Sequence, residues 1–286
     1  MFGLRADGKR VKGIDPISKI VPHIMNHRYD AQNMCKYGFR CEPLDDFIKA
    51  QNEKGYKFTY MHILMAGLVR VTAMYPWLKR FIMNGRIFER NSIGFSFVVK
   101  KEMKLDSAES LVKLEFNGSE SIYDVKEQID NAVKENAKSE ANNGTERLAR
   151  LLTVTPNFMI KFLVGTIKLL DNHGMLPKAI LDLSPFHTTY FFTNLKSIKG
   201  PAIFHHAYEF GTTGMFFAMG KENMEPVVNR GQLEVAKVLP VDIVMDERFC
   251  DGFYLVKALD DLKKILEHPE VLAEPYDKTS QAELAE

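Results

Sequence analysis

Near the C-terminus an alternating run, Val241, Ile243 and Met245, leads directly into Asp246-Glu247-Arg248-Phe249-Cys250-Asp251-Gly252, and Phe253 to Leu266 follows on a helical period before Pro269. Period-two alternation predicts a strand with one face in a core. A dense group of charges is thereby placed at the end of a buried strand and at the start of a helix. Such a strand needs neighbours. Ile93, Phe95, Phe97 and Val99 alternate with Gly94, Ser96 and Val98 downstream of an Asn84-Gly85 turn. Tyr190 to Leu195 and Met215 to Met219 are short, aromatic-rich runs ended by polar or glycine breaks, which read as buried strands. Helices are predicted from Pro43 to Lys54, with Leu44, Phe47 and Ile48 on one face and Gly55 as the stop, and from a Thr59 cap through Ile63, Leu64, Leu68, Val71 and Met74 to Pro76. Another is predicted through Ile122, Val125, Ile129 and Val133, ending in a loop at Asn142-Asn143-Gly144. Strands that return late, without regular βαβ alternation, predict a single α+β domain. No GxGxxG or GxxxxGK[ST] follows a strand, which disfavours nucleotide-binding folds.

At 286 residues and 45% hydrophobic, the chain can bury a large core. Its 38 basic and 37 acidic residues leave a net charge of +1, so no basic field for nucleic acid is expected. Cys35, Cys41 and Cys250 are odd in number and lack CxxC spacing, so neither a disulfide framework nor a metal site is expected. A cytoplasmic location fits that usage and the N-terminus MFGLRADGKR, which has no signal-like apolar run. Leu151 to Leu170 is strongly apolar but contains Pro156, Asn157, Lys161 and Lys168. A span needs ~20 predominantly apolar residues with few charges, so a buried helix or pocket wall is expected there rather than a membrane segment. The competing reading, an interfacial helix, predicts an exposed apolar patch.

Four segments carry a resemblance. They are Asn26-His27-Arg28; Lys57 to Leu64 with Tyr75-Pro76-Trp77 and Asn84-Gly85; Thr193-Asn194-Leu195 with Phe217-Ala218-Met219-Gly220-Lys221; and Asp246 to Gly252 with the helix ending Leu266-Glu267-His268-Pro269. Together they resemble the coenzyme A-dependent acyltransferases that include chloramphenicol acetyltransferase and the dihydrolipoamide acyltransferase cores of 2-oxo acid dehydrogenases. In that family the last segment reads Asp-His-Arg-x-x-Asp-Gly or His-His-x-x-x-Asp-Gly. The resemblance implies an α+β two-layer sandwich, a mixed β-sheet covered by helices, assembled as a homotrimer with sites between subunits. It divides the chain into a lead-in at 1–16, an acyltransferase-like domain at 17–272 with a divergent middle at about 105–183, and a polar tail at 273–286. No lipoyl-type module is recognisable, so a stand-alone protein is expected.

The resemblance also implies coenzyme A or acyl-CoA as a substrate, a small hydroxyl, amine or thiol acceptor, and no metal. The family's general base is the motif histidine, whose unperturbed pKa of ~6.5 suits a reversible proton transfer. Glu247 stands in its place. A carboxylate of unperturbed pKa ~4.3 is a poor base for an alcohol or thiol unless burial raises that value. Thr193 matches the hydroxyl residue that steadies the oxyanion from a neighbouring subunit, worth ~3 kcal/mol in comparable sites; a one-residue slip would put Phe192 there. Asp251 matches an aspartate that accepts an ion pair from the N-terminal arginine, here Arg28, against a simple turn and helix start. His205 and His206 are alternative bases, against ordinary core or interface histidines. Two functions therefore stand open: an acyltransferase using Glu247, and a catalytically inactive relative acting as a ligand-binding or scaffold trimer.

Overall fold

The computed structural model describes residues 5–100, 109–138 and 155–277. Its larger sheet has seven strands: β2 (Gln32–Arg40), β5 (Ile93–Lys100), β6 (Glu109–Phe116), β7 (Tyr190–Asn194), β8 (Met215–Met219), β9 (Asn223–Asn229) and β10 (Gln232–Asp246). The order is β2-β10-β8-β7-β5-β6, with β9 continuing along β10. The β5–β7 and β7–β8 pairs are parallel, and the rest are antiparallel. A smaller sheet joins β1 (Gly8–Arg10), β4 (Arg86–Arg90) and β3 (Arg80–Met83) in the order β1-β4-β3.

Alternation along the strands decides what each face meets. Tyr190, Phe192, Met215, Phe217, Met219, Val241, Ile243 and Met245 enter the main core. They meet α2 (Glu42–Glu53), α3 (Tyr60–Met74), α4 (Ile122–Lys138) and α7 (Gly252–Glu267). In α3 nearly every residue is buried, because it packs on the sheet with α4 and α7 as neighbours. Leu255, Ala258, Leu259, Leu262 and Leu266 give α7 the i, i+3, i+4 stripe that packs there. Gly67 permits the approach, since a Cβ at that position would lie 2.9 Å from Leu262 Cδ1. The opposite face of the sheet carries a small cluster of Phe191, Phe216 and Val244, backed by Leu111, Phe204 and Tyr208.

Two features differ from the sequence reading. Asn84 and Gly85, with φ of 49° and 65°, do form a hairpin turn, but the strands that it joins, β3 and β4, are too short for periodicity to reveal. The apolar segment becomes α5 (Asn157–Asn172), followed by the short α6 (Lys178–Leu183). Rather than a buried helix, α5 buries Asp171, half-buries Ile160, Val164, Thr166, Ile167 and Leu170, and leaves Phe158, Met159, Phe162, Leu163 and Leu169 in solvent. No described helix is long and apolar enough to cross a membrane. Residues 151–154 and the loop predicted at Asn142-Asn143-Gly144 lie outside the described residues. The lead-in is tied into the fold through β1 on β4, and α1 (Pro16–Ile24) follows it.

Candidate functional site

The site grows from the last residues of β10. Met245 enters the core, so Asp246 faces the other side of the sheet, where two arginines meet it. Arg248 Nε and Nη2 donate to the two Asp246 oxygens at 2.8 and 2.6 Å, a bidentate pair. Arg28 Nε stands 3.7 Å from Asp246 Oδ2. The remaining guanidinium groups are partly spent on backbone: Arg248 Nη1 donates to the Met25 carbonyl at 2.9 Å and Arg28 Nη1 to the Tyr208 carbonyl at 2.6 Å. All three side chains are buried. Burial lowers the Arg28 pKa, and the Asp246 charge opposes that shift.

The ion pair expected between Arg28 and Asp251 is therefore not formed within the chain; Arg28 faces Asp246. Asp251 is exposed and caps α7, its Oδ1 accepting from the Tyr254 N–H at 2.8 Å. The reason is local: a short carboxylate at the N-cap is committed to the orphan N–H groups of the helix. Cys250, between them in sequence, is buried, and its thiol is pushed up to about 12, chiefly by burial. Burial therefore disfavours its thiolate form.

Glu247 occupies the turn after the strand and is half-buried. Its N–H donates to the Ala31 carbonyl at 2.9 Å, and its Oε2 accepts from Asn33 Nδ2 at 2.7 Å. These contacts tie the motif to the start of β2 and orient the carboxylate. Thr193 lies in β7 beside Ala218 and is half-buried on the face away from the helices, whereas Phe192 is wholly in the core. Thr193, Ala218 and Asp242 share one level of the sheet. Glu247 is five residues further along and two strands across, a separation of roughly 20 Å at the usual strand spacings. One chain does not bring the two together.

His205 stacks on Phe216 with ring centroids 4.5 Å apart, and its Nδ1 lies 2.7 Å from the Ile203 carbonyl. His206 is exposed and edge-on to Tyr208. Beside the motif opens a cavity of about 390 Å³ walled in part by His23, Arg28, Lys168, Glu209 and Arg248, but not by Glu247. Among the described residues no group of three or more His, Cys, Asp or Glu side chains is placed to hold a metal ion.

Sequence reasoning passed over Asp246 and Arg248, although both stand in the motif; only the strand parity marks them as partners. It also missed a buried network in which Arg5 bridges Asp7 at 2.8 Å and Asp171 at 2.7 Å, while His187 Nε2 lies 2.9 Å from Asp171. These residues are far apart in the chain, and no local pattern links them.

Against known proteins, residues 213–274, which hold β8, β9, β10, the motif and α7, match the family model of the 2-oxoacid dehydrogenases acyltransferase (catalytic domain). No curated protein shows significant similarity to the chain. Among solved structures, a probable dihydrolipoamide acetyltransferase of Listeria monocytogenes superposes with a TM-score of 0.57 at 14% identity, covering 91% of this chain and 95% of that one. This is the fold of the dihydrolipoamide acyltransferase cores. The dihydrolipoamide acetyltransferase of Azotobacter vinelandii gives a TM-score of 0.57 at 12% identity over 92% of this chain and 94% of its own. A chloramphenicol acetyltransferase gives 0.52 at 11% identity, over 91% and 99% respectively. The likeness to the acyltransferase family read from the sequence thus extends to the whole fold, and the matched segment is the strand–motif–helix unit.

Proposed function

We propose that the chain is an acyl-CoA-dependent acyltransferase, working as a homotrimer, with Glu247 in the place of the family's histidine. The domain proposed for this activity is 17–272, with 1–16 and 273–286 as flanking segments. The observation that carries the reading is the placement of Glu247: a half-buried carboxylate in the turn that follows the core strand, held by Asn33 and beside a buried Asp246 with two arginines. Thr193 acts as the oxyanion donor in this reading. Its estimated distance from Glu247 in one chain requires that the two come from different copies, which agrees with a site between subunits. Glu247 takes a proton from a hydroxyl, amine or thiol acceptor, whose lone pair attacks the acyl carbonyl, and coenzyme A leaves as the thiol. His205 stands as the alternative base: stacked on Phe216, it can donate Nδ1–H to the Ile203 carbonyl, which leaves Nε2 to accept a proton.

The second reading is a catalytically inactive trimer that binds a ligand or serves as a scaffold. It is favoured by the cavity beside the motif, whose wall excludes Glu247. Turnover of acyl-CoA across alcohols, amines and thiols separates the two. Native turnover that falls ~100-fold or more in Glu247→Gln supports the carboxylate as base. Absence of native turnover, with activity gained by Glu247→His, supports a site that has lost its base.

A further inference from the structure

Helices α1 and α5 each leave an apolar stripe without a partner among the described residues. On α5, Phe158, Phe162 and Leu169 are 73%, 76% and 59% exposed. At ~100° per residue they lie within roughly 40° of one another, so they form a single ridge. On α1, Ile17, Ile20 and Ile24, at i, i+3 and i+7, are 75%, 54% and 72% exposed. The helices are neighbours across one cavity, to whose wall α1 contributes Pro22 and His23 and α5 contributes Lys168, Asp171 and Asn172.

The polar rim is cationic. Lys161 and Lys168 flank the α5 ridge, both exposed, and neither has an ion-pair partner among the described residues. Inside the cavity, Arg28 is 5% exposed and its Nε has no hydrogen-bond partner. The other charged groups of the wall are engaged: Asp171 with Arg5 and His187, Glu209 with the Arg28 N–H, and Arg28 and Arg248 with Asp246.

We propose that the α1–α5 face seats the protein on an anionic phospholipid bilayer, with the phenylalanine and isoleucine ridges at the level of the acyl boundary and headgroup phosphates against Lys161 and Lys168. An apolar ridge edged by lysines is the pattern of helices that lie in a membrane interface. The proposal does not depend on catalysis.

The experiment is flotation of the full chain with vesicles of phosphatidylcholine alone and of phosphatidylcholine mixed with phosphatidylglycerol. The expected result is binding to the mixed vesicles only, reduced by salt. Binding should drop by about tenfold or more in Phe158→Ser/Phe162→Ser, and also in Lys161→Glu/Lys168→Glu. The substituted side chains are exposed, and an unchanged circular dichroism spectrum and melting temperature verify that the variants fold. No binding to the mixed vesicles, or binding that survives both double substitutions, overturns the proposal. So does a change in oligomeric mass by the phenylalanine variant without any vesicle binding by the native chain, which would make the ridge a contact between copies.

Discussion

Asp246 and Asp251 are the two aspartates of one seven-residue motif, and their surroundings give them opposite tasks. Asp246 is buried with two guanidiniums against it, so Asp246→Asn strands positive charge in the interior and is expected to cost ~3–5 kcal/mol. Asp251 is an exposed helix cap, and Asp251→Ala is expected to cost ~1 kcal/mol. Urea unfolding of the two variants measures both, and a larger loss at Asp251 would contradict the pairing described here. The sequence marked both acids as site residues or neighbours of one, but the choice of partner for Arg28 was not legible in it. That choice follows from where β10 ends, because one residue of shift moves a side chain to the other face of a sheet.

Among the elements, α3 shows how a buried helix start becomes sensitive to pH. Thr59 and His62 form a capping box, in which His62 Nδ1 accepts from the Thr59 N–H at 3.1 Å while Nε2 faces Asp130 at 3.4 Å. That arrangement needs the neutral ring, and burial pushes the His62 pKa down to about 4. The unfolded chain, with a histidine near ~6.5, binds the extra proton first as pH falls. Stability is therefore unaffected by this group above about pH 6.5 and declines by about 3 kcal/mol as pH drops to about 4. In His62→Gln, which keeps an N3 side chain able to cap, the urea midpoint should fall less steeply between pH 7 and 5 than in the native chain. An identical slope would mean that folding leaves the His62 pKa unshifted. At the α3–α7 contact, Leu262→Ala is expected to cost ~2–5 kcal/mol, measured in the same way. These helices were readable from their spacing and stops. The exposed side of α5 was not, because apolar residues occupy both its inner and outer faces and composition alone resembles that of a buried helix.

For the molecule as a whole, helices cover one side of the large sheet, and the other, among the described residues, carries a small apolar cluster. Met34 and Val98 are exposed on that second side, in register with or alternating with its residues. If the proposed homotrimer forms through that side, sedimentation equilibrium should give a mass three times the 32.7 kDa of the chain. Met34→Arg/Val98→Arg should then give a folded monomer, since neither side chain supports the core of one chain. A native monomer would remove the basis for a site shared by Thr193 and Glu247.

The strand–motif–helix unit, the helical stripes of α3, α4 and α7, and the alternation of β5 and β10 were determined by the sequence itself, because each is a repeat of polarity matched to a backbone period. Tertiary structure alone decided which carboxylate receives Arg28, which charges gather around Asp171, how far Thr193 lies from Glu247 and which side of α5 stays wet. Those outcomes depend on strand order, register and the packing of segments distant in the chain, and such relations leave no period in a linear sequence.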